Sequence, residues 1–70
     1  MMPLAFANVN ETNIIKKIGG LAETKKHLEN LGFNVGGEVK VISTIGGNLI
    51  VQVKESRVAV SKEMAMKIMV

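Results

Sequence analysis

The chain has no cysteine, no aspartate, no tryptophan and no tyrosine, and it holds one histidine, one proline and two phenylalanines in 70 residues. Each shortage excludes something. Without cysteine there are no disulfides, thiolate metal sites or cysteine nucleophiles, and a small secreted domain would normally need such staples. With no tryptophan or tyrosine, and with Phe6 and Phe33 expected as core or cap residues, the aromatic grooves that read proline-rich peptides and the stacking platforms of single-stranded nucleic-acid binders are both disfavoured. A Ser–His arrangement would have to use His27, and no carboxylate orienter for it can be identified in the sequence. The start, MMPLAFANVN, lacks the basic region of a signal peptide, and no apolar run approaches the ~20 residues of a membrane span. These absences lead to the expectation of a soluble, cytoplasmic protein without catalysis.

What is present is β-forming and mildly basic. Nine valines and seven isoleucines dominate the apolar residues, and nine Lys and Arg against six Glu give a net charge of +3. β-Branched residues of this kind favour strands. The lysines are spread along the chain and interleaved with glutamate, the pattern of a solvated surface rather than a concentrated nucleic-acid footprint. Seventy residues make one domain, 1–70, close to the lower limit for an independent core.

Glu38 to Ser61 carries the clearest pattern. Val39, Val41, Ser43 and Ile45, then Leu49, Val51 and Val53, recur at every second position, the signature of strands with one buried face. Matching apolar faces across the hairpin predicts a three-residue loop, Gly46-Gly47-Asn48, with Asn48 left-handed at its end. That loop sets Ile45 against Leu49, Ser43 against Val51 and Val41 against Val53. A second turn at Glu55-Ser56 would pair Val53 with Val58 and Val51 with Val60. Before this region, Leu4 and Phe6 are expected to enter the core and Asn10-Glu11 to turn. Thr12 to Ile18 is expected as one strand, with its buried face left open by the pattern.

A helix is expected from about Leu21 to Leu31, with Leu21, Thr24, Leu28 and Leu31 on one stripe and Glu23 in the first turn. Gly32 at the following position, with Phe33 packing back on Leu28, predicts a Schellman stop. Ser61 is an N-cap candidate for a short helical turn with Glu63 in its second position. Ile68 to Val70 closes the chain as a last strand. The expected architecture is a small five-stranded barrel with one helix after the first strand and a helical turn before the last.

Few residues offer chemistry. His27 and Glu23, four apart on the helix, could share a face, but two ligands do not make a metal site. The Gly19-Gly20 and Gly36-Gly37 pairs lack the spacing and the Lys-Ser/Thr of a phosphate loop. No cofactor or metal is expected. Ile42 and Ile50 fall on the outer face of the hairpin and would lie diagonally close, a candidate docking patch. His27 is the remaining candidate for a partner contact.

The run Leu28-Glu29-Asn30-Leu31-Gly32-Phe33-Asn34-Val35-Gly36 resembles the LxxLGF-x-x-G signature of FeoA-type proteins, small accessory proteins of bacterial ferrous-iron uptake. Pro3-Leu4, Ile15 to Gly20, Val39 to Val41, Gly47 to Val51, Arg57 to Val60 and the closing Glu63, Ala65, Ile68 and Val70 extend the resemblance over nearly the whole chain. It implies an SH3-like barrel, with a role beside a FeoB-type membrane transporter whose cytosolic part binds GTP. Contact with the membrane would then come only through that partner. The family carries no agreed catalytic or iron-ligand motif, so none is transferred. Asn10 and Glu55 depart from it, standing where glycine is common in turns. The same domain type resembles the C-terminal domain of iron-dependent repressors, although no helix-turn-helix accompanies it here. A small basic RNA-binding barrel is the other alternative, with no nucleic acid expected on the main reading, and self-association stays open.

Overall fold

The computed structural model describes residues 1–70, as a mainly β fold with two α-helices. The strands are β1 (Thr12–Ile14), β2 (Lys17–Ile18), β3 (Glu38–Ile45), β4 (Asn48–Val53), β5 (Ser56–Ser61) and β6 (Ile68–Met69). Helix α1 spans Ala22–Asn30, helix α2 Lys62–Ala65, and a 3-10 turn covers Leu4–Phe6. All strand pairs are antiparallel and form two ladders, a four-stranded sheet in the order β1-β3-β4-β5 and a two-stranded sheet of β2 and β6. The ladders do not join into one closed barrel, and six short strands stand where five were expected.

The extra strand comes from Thr12 to Ile18, which is a bent segment rather than one strand. Its first half pairs with β3 and its second with β6. Between them, Ile15 N–H donates to the Gly37 carbonyl at 2.9 Å and Lys16 N–H to the Met69 carbonyl at 2.7 Å, so the partner changes within one residue. Ile15 and Ile18 are both buried. Three positions apart, they cannot share a face of a straight strand. The bend explains why strict alternation gave no facing here.

Both hairpin turns differ from expectation. Gly46-Gly47 is a two-residue turn, and both glycines take positive φ (53° and 86°), as a primed hairpin turn requires. Ile45 therefore pairs with Asn48, Thr44 with Leu49 and Ser43 with Ile50. The register then slips at Ile42, and beyond it Val41 pairs with Val51 and Val39 with Val53. A bulge supplies the extra residue that lets a tight turn coexist with matched valine faces. Asn48 is consequently an ordinary strand residue, and Ile45 points out of the core, 64% exposed.

The second turn is Lys54-Glu55, closed by Val53 and Ser56, with Lys54 left-handed at φ 55°. Val51 pairs with Val58 and Leu49 with Val60. This register is two residues from the expected one, so every side chain stays on its expected face.

The N- and C-terminal segments meet. Met2 and Val70 exchange backbone hydrogen bonds of 2.9 and 2.8 Å, and Pro3 bridges Met69. Leu4 is fully buried, but Phe6 is 60% exposed, against expectation. The 3-10 turn explains the difference, because it rotates Phe6 away from the direction that buries Leu4.

Helix α1 runs within the expected limits and ends as expected. Gly32 N–H donates to Glu29 O at 3.0 Å and Phe33 N–H to Leu28 O at 2.9 Å, the two bonds of a Schellman motif. Gly32 has φ 106°, and Leu28 and Phe33 are both fully buried. Leu21, expected on the stripe, precedes the helix and is 75% exposed. In α2, the Ser61 hydroxyl accepts from Met64 N–H at 3.2 Å, the expected cap. The core is wholly apolar, and its fully buried side chains include Leu4, Ile15, Phe33, Val51 and Ile68.

Candidate docking surface

Burying Val39, Val41, Leu49, Val51, Val53 and Val60 commits one face of the four-stranded sheet to the core. Alternation then turns Lys40, Ser43, Ile50, Gln52, Arg57 and Ala59 outward. The outward residues form rows set by the register. One row runs Thr12, Lys40, Gln52, Arg57 across all four strands, and the next runs Ser43, Ile50, Ala59. The first row is polar and basic, and the second is uncharged, with Ile50 between Ser43 and Ala59.

The bulge brings the two isoleucine candidates together. Ile50 pairs with Ser43, and Ile42 is the neighbouring extra residue; both are half-buried. Ile45, two pairs nearer the turn and so on the same face, adds an exposed apolar side chain that the assumed register had hidden in the core. His27 is not part of this group. It lies exposed in the last turn of α1, whose stop at Gly32 sits against the methyls of the inner-face residue Val53, at 3.6 and 3.7 Å from a Cβ built there.

Two recesses open on the surface, the first of them on the polar row itself. A polar one of about 380 Å³ is lined by Thr12, Glu38, Val39, Lys40, Gln52 and Lys54. A broader one of about 740 Å³ is lined by Phe6, Gly47, Ser61, Lys62, Glu63 and Met66. In the second, exposed Phe6 and Met66 supply apolar area and Lys62 and Glu63 a charged rim. Phe6 was missed as a surface residue because an aromatic near a chain end next to leucine reads as core. Only the pair Pro3-Leu4, which starts a tight turn, hinted otherwise.

No group of three or more His, Cys, Asp or Glu side chains comes together in the fold. Glu23 and His27 are both exposed on α1. No helix is long and apolar enough to cross a membrane. The arrangement offers apolar contact and surface charge.

The FeoA domain model matches residues 2–70. The chain belongs to the FeoA domain family. Over all 70 residues it is 41% identical to "Putative Fe(2+) transport protein A" of Methanocaldococcus jannaschii, covering 85% of that protein. Among solved structures it superposes on FeoA of Stenotrophomonas maltophilia complexed with zinc, described as an SH3 domain protein, with a TM-score of 0.86 and 25% identity. That match covers 99% of this chain and 88% of the other. A manganese-dependent transcriptional repressor shares the fold alone, with a TM-score of 0.85 and 14% identity over 94% of this chain and 38% of the repressor. The resemblance read around Leu28–Gly36 is thus family membership, and the SH3-like description applies to its FeoA neighbours although the ladders here stay unjoined.

Proposed function

We propose that this FeoA domain is a non-catalytic accessory protein of ferrous-iron uptake. It acts in the cytoplasm by docking on the cytosolic GTP-binding domain of a FeoB-type transporter. The observation that carries the reading is the family match over residues 2–70, joined to a 41% identical relative whose name assigns it to ferrous-iron transport. The surface supports it. The outer face offers Ile42, Ile45 and Ile50 in one apolar region beside a basic row, a composition suited to protein contact. Titration against the transporter's cytosolic domain, with and without guanine nucleotide, tests it. Saturable binding is expected, and its absence in both nucleotide states would sink the reading.

A second reading follows from the repressor likeness. In it, the domain serves as a regulatory module that joins a DNA-binding chain. Binding to a repressor fragment stripped of its own SH3-like domain would favour it, and the transporter titration would then be blank. An RNA-binding role would instead show affinity falling steeply with salt, because phosphate contacts release counterions.

A further inference from the structure

We propose that β5 is a self-association edge, on which a second copy of this chain adds its own β5 in antiparallel register centred on Ala59. This inference does not depend on the transporter reading.

The backbone of β5 is open on one side. The Val53–Ser56 pair closes the two-residue turn, so it is a hydrogen-bonded pair, and bonding alternates from there along the hairpin. Val51–Val58 and Leu49–Val60 are bonded pairs, whereas Gln52–Arg57 and Ile50–Ala59 are not. The bond from Lys62 N–H to the Gly47 carbonyl, 3.1 Å, falls on the same alternation one step past the strand. The N–H and C=O groups of Arg57 and Ala59 therefore point away from β4. No hydrogen bond within the protein takes them.

The edge also lacks the usual defences. Proteins blunt exposed edges with short strands, prolines, bulges or several charges. The opposite edge, β1, has three residues, and the chain leaves the sheet at Ile15. β5 has six residues, an unbroken register, no proline and one charge, Arg57.

Its sequence, Ser-Arg-Val-Ala-Val-Ser, suits itself in one register. Two antiparallel copies must oppose outward-bonding residues, which allows two-fold axes at Arg57, Val58, Ala59 or Val60, the last setting Val58 against Lys62, where the chain has already turned into α2. An axis at Arg57 sets guanidinium against guanidinium, which is unfavourable. An axis at Val58 sets Ser56 against Val60. An axis at Ala59 sets Val58 against Val60 of the second copy twice, Arg57 against Ser61 twice, and alanine against alanine. Val58, half-buried in the single chain, is then covered. At each end Ser56 of one copy falls opposite Lys62 of the other, and Glu55 opposite Glu63, so the one like-charge pair lies past Ser61, where the chain turns into α2. The outer row Ser43, Ile50, Ala59 runs on into its counterpart across the axis.

The chain has no cysteine of its own, so an introduced one reports position cleanly. At a bonded antiparallel pair the Cα atoms lie about 5.5 Å apart, within the span a disulfide bridges. Ala59→Cys should therefore form a disulfide-linked dimer under mild oxidation. Arg57→Cys should not, because two copies of position 57 are offset by four residues, about 13 Å. Sedimentation of the unaltered chain should show its average mass rising with concentration toward that of two chains. Ala59→Pro removes only an outward N–H and should hold the mass at one chain. Ala59→Lys, which places two cations on the axis, should do the same if the proline variant folds poorly. A single-chain mass at every concentration overturns the proposal and leaves the edge to a strand of another protein. Equal cross-linking at positions 57 and 59 overturns it as well.

Discussion

At the scale of single residues, the half-buried isoleucines separate docking from stability most clearly. Ile50 faces outward between Ser43 and Ala59, so its side chain contributes little to the core. Ile50→Lys should cost about 1 kcal/mol or less in a denaturant melt, as outward substitutions usually do. The same change should sharply weaken binding to the transporter domain. A large loss of stability would show instead that Ile50 is core. Gly32 behaves in the opposite way. A methyl there meets Val53 only at ordinary contact distance, yet φ of 106° is a conformation that alanine resists. Gly32→Ala should lower stability by about 1 kcal/mol or somewhat more, from backbone strain without a clash. Ordinary binding by the folded fraction of that variant is the expected companion result.

At the scale of elements, what the sequence reveals depends on whether the signal is local. The Schellman stop of α1 and the Ser61 cap of α2 were legible because each needs only neighbouring residues. The valine faces of β4 and β5 were legible because period two fixes facing without fixing register. The bulge at Ile42 was not. It arises where the tight Gly46-Gly47 turn must be reconciled with a valine match farther along the strand, a conflict resolved only in three dimensions. The hidden bulge misplaced Ile45 and so concealed a third of the outer apolar cluster. The bend between β1 and β2 escaped for a related reason, since its cause is a change of partner from Gly37 to Met69. The departures from the family's turn glycines became clear only in the fold. Asn10 itself adopts φ 66°, while the strain expected near Glu55 is taken by Lys54. A deletion tests the bulge directly. Removing Ile42 leaves Val41–Val51 and Ser43–Ile50 as consecutive pairs, so the ladder should become regular and the domain should still unfold cooperatively. The local twist that a bulge adds would be lost, and with it one side chain of the apolar region. Retained folding with weakened partner binding is the expected outcome, and an unfolded chain would show that the bulge is needed for the fold.

At the scale of the whole molecule, small size makes binding visible as stability. A core of this size supplies only ~3–5 kcal/mol, so any ligand of the native state should raise the melting point strongly. Saturation to a hundred times the dissociation constant stabilises a native state by about 2.7 kcal/mol. For a domain of 60–100 residues, each kcal/mol shifts the midpoint by about 4–8 °C, which gives a rise on the order of 10–20 °C. The melt would be followed on isotopically labelled FeoA domain, so that unfolding of the transporter domain does not enter the signal. The rise should grow with transporter-domain concentration and vanish in the Ile50→Lys protein. Self-association at β5 predicts a separate effect, a midpoint that climbs with the chain's own concentration and is abolished by Ala59→Lys. The two dependences use different groups, the isoleucine side chains of the outer face and the free backbone groups of the β5 edge, so each can fail without the other. A midpoint indifferent to the transporter domain at saturating concentration would remove the docking role while leaving the fold and the edge untouched.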